Sequence, residues 1–292
     1  MKYILPALIA MTLFACKNFN RNNSLTISTE ALDTIKSTPG GGVAAPLIFE
    51  SALIKGTTAR LNTSEIKADN PNSSLYGVTI GKITIVSGHI IACDPLHTDE
   101  YGIPFTQNFP AGEFPVQLSI ATLDNEEMIA FAWLRFSEEN VVRWELALQD
   151  GQKPLPVGDE NFHGYGVDGG IGIFVDEEVK KELDKNKIID DELYGPLNKQ
   201  MDKHYHNTWR YAMYGFGKYN LAAFTTGLGD GHYATYIGFD VSGKPCRLIT
   251  DFGFFDWRKK PGLETTYHFV QDYFSPDLWF CHGFKRDLYI YL

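Results

Sequence analysis

The chain has 292 residues, 44% of them hydrophobic and 14% aromatic, with a formal net charge of −10. That length suits one large domain or two modest ones, and the apolar fraction excludes wholesale disorder. Thirty-six acidic residues against 26 basic ones argue against a sequence-independent nucleic-acid partner, which needs a basic face.

Residues 1–15 read as a secretory signal: Lys2 gives a short positive start, and Tyr3 to Ala15 form an apolar stretch too short to span a bilayer. Leu13-Phe14-Ala15-Cys16 resembles a bacterial lipobox, in which Cys16 is lipidated and becomes the new N-terminus; Phe14 departs from the usual small or β-branched residue. The alternative is an ordinary signal peptide with a chance cysteine. Cleavage would remove one charged side chain, Lys2, and take the net charge from −10 to −11. Residues 16–45 are rich in Asn, Ser, Thr and Gly and read as a lipidated Cys and flexible tether. A membrane contact through a lipid anchor and a periplasm-facing place in the cell envelope are expected, with the globular part spanning 46–292.

Residues 47–147 are mostly extended in pattern. Val78–Val86, Gly88–Asp94 and Phe114–Ala121 read as strands, and Met128–Phe136 with Val141–Leu148 as a further pair joined by Ser137-Glu138-Glu139-Asn140. The glycine-rich segment 164–176 ends in an apolar run, after which the period changes to helical over 176–186 and again over about 190–206. Strands return at 219–226, 232–240 and 244–252. The aromatic pieces of 266–292 fix no order. The expected fold is mainly β (α+β): an antiparallel β-sandwich or barrel-like core with a helical insertion near 176–206.

Four segments in this order resemble the bacterial domain of unknown function 4241: Ser87–Leu96, Pro110–Val116, Gly164–Gly172 with Phe174 and Asp176, and Gly227–Tyr233 continuing to Asp251-Phe252. The resemblance covers about residues 78–256. It implies no reaction, because that family carries none that can be transferred, and many members look soluble and lack a lipobox, which makes the anchor a local addition. The stretch after Trp257 lies outside it.

Acidic residues beside glycines are the recurring chemical theme: Asp94, Glu113, Asp168, Asp176, Asp230 and Asp251 all fall at expected strand ends or turns. Glycine lets the backbone approach closely, so such carboxylates could converge on a divalent cation (Ca or Mg), with Asp168, Asp176 and Asp230 the metal candidates. They could instead hold a small polar ligand or act as general acid and base. The plainer reading is that Asp-Gly is common turn chemistry. His232 and Tyr233 complete the ligand-binding candidates; along a strand they face opposite ways, so one of them is structural, with the balance toward Asp230 and Tyr233 in a pocket. Gly164, Gly166 and Gly169 spell G-x-G-x-x-G, but an extended run follows instead of a helix, which rejects a dinucleotide site. His204-x-His206 shares a face only if extended, and it reads as a helix end with solvated histidines. Cys93, Cys246 and Cys281 match no zinc spacing; one pair could bridge, and three buried thiols are the simpler reading.

Two functions remain. The first is a ligand- or protein-binding module, one version being an immunity-type lipoprotein whose acidity speeds capture of a basic protein partner. The second is a hydrolase using the acidic Asp-Gly loops, with or without a divalent metal.

Overall fold

The computed structural model describes residues 47–185 and 191–258. The expected signal peptide, Cys16, the tether, Cys281 and the 266–292 pieces lie outside the described residues.

In chain order the elements are α1 (Leu47–Ser51), β1 (Thr57–Arg60), β2 (Asn72–Ile85), β3 (Ile90–Cys93), a 3-10 turn (Pro95–His97), α2 (Thr98–Tyr101), β4 (Gly112–Leu123), β5 (Glu126–Arg135), β6 (Arg143–Leu146), β7 (Gly164–Val167), β8 (Ile171–Asp176), α3 (Glu177–Lys185), α4 (Asp191–Met201), a second 3-10 turn (Asp202–His204), β9 (Tyr205–His206), β10 (Trp209–Phe216), β11 (Tyr219–Thr225), β12 (Gly231–Phe239) and β13 (Pro245–Asp251). The larger sheet has the order β1-β2-β4-β5-β13-β12-β6, with β7 also on β12; the smaller is β3-β8-β11-β10-β9. Among the described residues every strand pairing is antiparallel, and the larger sheet curls into half a barrel. The fold is mainly β, as the strand pattern and turn spacing require.

The period of two decides what each face of the smaller sheet covers. Ile90, Ala92, Phe174, Ala222 and Phe224 belong to the main core with the larger sheet. Their neighbours Ile91, Cys93, Ile173, Val175, Leu221 and Ala223 pack the other way, against Val179 and Leu183 of α3 and Leu197 and Met201 of α4. Each of those helix pairs is spaced i,i+4, one apolar stripe per helix. The helical insertion is therefore a lid on the outer face of the small sheet. It explains why β8 is an unbroken apolar run: it is buried on both sides.

Three local expectations change. Residues 126–135 and 143–146 do not form a hairpin: β5 pairs with β4 and β13, while β6 crosses to β12, where Trp144 joins the core. The second helix stops at Met201, and Tyr205-His206 is extended. The glycine-rich segment opens with a strand, β7, whose Gly164 lies where an added Cβ would strike the Tyr233 backbone.

Candidate functional site

The structure brings three of the four motif segments together: buried carboxylates join two of them, and a backbone hydrogen bond brings in the third. Asp94, fully buried at the end of β3, accepts from Leu96 N–H with Oδ1 and from the N–H groups of both Asp168 and Gly169 with Oδ2, all at 2.8 Å. Asp176, also fully buried, caps α3 by accepting from Glu178 N–H (2.9 Å) with Oδ1. Its Oδ2 accepts from Val86 N–H (3.0 Å), Ser87 N–H (2.9 Å) and the Ser87 hydroxyl (2.9 Å). Asp251 accepts from Gly253 N–H (2.8 Å), Trp257 Nε1 (2.9 Å) and Arg258 (2.8 Å). The turn at 226–230 joins through Thr226 N–H on Gly170 O (3.1 Å), and Gly170, at φ +62°, leaves little more than a Cβ of room against Gly229. The 110–116 segment attaches only indirectly: its neighbour Phe109 donates its N–H to Gly88 O (2.8 Å).

The other candidates are not gathered. Glu113 is exposed at the start of β4, and Asp230 is exposed on its turn. His232 is exposed at the start of β12 and stacks on Phe162 (centroids 5.7 Å apart). Burial, then His163, lowers its pKa below the usual 6.5. Tyr233 turns inward, edge-on to Phe252, and its hydroxyl donates to Gly229 O (2.8 Å), closing the turn it follows; burial pushes its pKa up to about 12. Asp168 keeps its side chain in solvent, 74% exposed, with Oδ2 3.2 Å from His97 Nε2; His97 sits edge-on to Tyr101. Among the described residues no three His, Cys, Asp or Glu side chains stand together as a metal-holding group. Cys93 and Cys246 are buried and unbridged.

A different feature has the size of a ligand site. At the far end of β5, β12 and β13 an open cleft of about 670 Å³ lies between residues 108–110, 136–139 and 240–245. Phe109 and Phe136 pack with centroids 5.2 Å apart on one side of it. Glu139, Asp240 and Lys244 supply its charges, and Val241, 86% exposed, stands at its mouth. Asp240 Oδ1 accepts from the Ser242 hydroxyl (2.7 Å), Ser242 N–H (2.8 Å) and Lys244 N–H (3.0 Å); these donors hold the carboxyl below its usual pKa, so it is ionised at neutral pH. Behind the cleft, Arg247 donates to Ser137 O (2.6 Å) and Cys246 O (2.9 Å) and pairs with Glu50 (3.4 Å). Nine residues of β12, at about 3.3 Å each, set the cleft roughly 30 Å from the Asp230 turn. None of the acidic candidates picked from the sequence lines it. Its residues come from three separate connections, of which the sequence marks two as turns, Ser137-Glu138-Glu139-Asn140 and Ser242-Gly243, with nothing to say that they meet.

A family model described as a protein of unknown function (DUF4241) matches residues 83–250. The chain belongs to this family. The match spans the segments that Asp94 and Asp176 tie together and includes every residue that lines the cleft. No curated protein matches the chain, and no solved structure does. The family's description names no activity.

Proposed function

We propose that this DUF4241 protein is a lipid-anchored binding module of the cell envelope. In this reading the cleft receives a basic segment of a partner protein, as an immunity-type lipoprotein would. The observation that carries the proposal is the cleft itself: an aromatic wall of Phe109 and Phe136, with the carboxylates of Glu139 and Asp240 against the single Lys244. An aromatic face and carboxylates together suit Lys or Arg side chains. A net charge of −10 favours encounter with a basic partner. The buried aspartates support the same side of the choice. Asp94, Asp176 and Asp251 each accept from three or four donors of the protein itself, which suits them to holding loops and not to moving protons.

The test is position-specific photo-crosslinking in the native host. A photoreactive residue at Val241 should give one discrete protein adduct, lost when Glu139→Lys reverses a cleft charge. The same residue at Asp230, at the other end of β12, should give none. Adducts from both positions, from neither, or insensitive to Glu139→Lys would overturn the reading. Cys16→Ser should move the protein from the membrane to the soluble fraction; retention at the membrane would sink the anchor.

Hydrolysis, the second reading, has one observation behind it: the imidazole–carboxylate pair of His97 and Asp168, open to solvent. It predicts turnover of an ester or phosphoester that His97→Gln and Asp168→Asn abolish at an unchanged melting temperature.

A further inference from the structure

The sequence left one condition open for His204-x-His206: the residue between them had to be extended. It is. Tyr205 has φ −82° and ψ 127°, and β9 begins there. Alternate residues of an extended segment put their side chains on one face. The rings agree. His206, paired across the ladder with Trp209, stacks on that indole with centroids 4.5 Å apart, and His204 stacks on Tyr211 at 4.7 Å. Trp209 and Tyr211 are themselves 6.1 Å apart, and His206 is also parallel to Tyr211, at 6.1 Å and 2°. The four rings form two stacked pairs side by side, with both imidazoles in solvent. The bed beneath them is fixed: Trp209 Nε1 donates to Glu127 Oε2 (3.3 Å). Lys203, the nearest cation in sequence, is exposed on the 3-10 turn before His204, and Arg210, which pairs with Tyr205 on the opposite face, is engaged by Asp202 and Asn198.

We propose that His204 and His206 together chelate one transition-metal ion of the Cu²⁺ or Zn²⁺ class at the β9 edge, with water completing its coordination. Imidazole nitrogen suits these ions and not the oxygen-seeking Ca²⁺ or Mg²⁺. Imidazoles on either side of the extended Tyr205, one ending the 3-10 turn and one in β9, can act as a chelate, and their aromatic bed restricts the conformations lost on binding. The nearby Glu127 carboxylate adds negative potential. This site is separate from the cleft and stands whether or not the cleft binds a partner. Among the divalent ions Cu²⁺ should bind tightest.

The test uses the full chain, without a polyhistidine tag, and Cu²⁺ as the probe. Because His206 lies on Trp209, bound Cu²⁺ should quench the fluorescence of that indole saturably. Zn²⁺, which does not quench, should compete the quenching away. His204→Gln or His206→Gln leaves one ligand and should weaken Cu²⁺ on the order of a hundredfold, while His163→Gln changes nothing. A midpoint unchanged in both single variants, or quenching that never saturates, overturns the proposal. Paramagnetic resonance of the Cu²⁺ complex gives an independent reading should a variant fold poorly: two imidazole nitrogens are expected in the parent chain, and any other number overturns the chelate.

Discussion

The carboxylate of Asp94 holds the backbone of Asp168, 74 residues further along the chain, through a 2.8 Å hydrogen bond. Its effect is to separate two aspartates that look alike in the sequence. One is a buried clasp that joins the end of β3 to the β7–β8 turn; the other rides on that turn with its own carboxylate facing water and His97.

Asp94→Asn should therefore destabilise the fold by about 2 kcal/mol or more, since both carboxylate oxygens accept and the asparagine NH2 that replaces one of them can only donate. In a chain of this size that lowers the melting temperature by roughly 5 °C. Asp168→Asn should stay within about 0.5 kcal/mol of the parent. Calorimetric or circular-dichroism melts of the two variants check both; equal effects would contradict the clasp.

Gly227 combines a left-handed backbone, φ +44°, with a Cβ position that would collide with Ile129 O and the Phe254 ring. Gly227→Ala should cost about 3 kcal/mol. Gly151 has φ +79° with nothing near, so Gly151→Ala should cost only about 1 kcal/mol. Denaturant midpoints of the pair separate collision from strain.

The lowered pKa of His232 gives the stability a sign with pH. Below 6.5 the unfolded chain takes up a proton that the partial desolvation of the ring, and after it the charge of His163, discourages in the folded one. This contribution is complete above 6.5 and is lost as the pH falls through the folded-state value. His232→Phe keeps a ring on Phe162 and removes the proton, so its melting temperature should fall less than the parent's between pH 7 and pH 5. Parallel curves would show that His232 is not the group involved.

Burial pushes the Cys246 thiol up to about 11 and raises Cys93 further. Both should resist iodoacetamide at pH 8 in the native protein and react only on unfolding. Peptide mass spectrometry of labelled protein before and after denaturation reads this directly.

The β elements were legible where burial is one-sided or complete. The partial alternation in Val78–Ile85, which changes phase at the bulge beside Gly81, and the unbroken apolar run of Ile171–Val175 both became strands because each matches what its two faces touch. The supposed hairpin of 128–148 failed for a physical reason. Its connector has ordinary turn chemistry, but β6 finds its partner in β12, about 90 residues away, a choice made by the core around Trp144 and Tyr236. The acidic motifs were visible as residues, and their partners were not. Asp176 serves Val86 and Ser87, and no local pattern marks a bond across 90 positions. The cleft was hidden for the same reason: three unremarkable turns make it only when β5, β12 and β13 end together.

One edge of β12 is shared by two strands laid end to end: β7 pairs with Gly231–Ala234 and β6 with Tyr236–Phe239. Such a seam can open in halves. Amide exchange along β12 should divide at Thr235, so that release of β7 deprotects the Asp230 end while the half leading to the cleft stays closed. A disturbance at the motif-bearing turns would then stop at the seam before it reaches Asp240, and substitutions that loosen one end of the sheet should leave the other end's geometry intact.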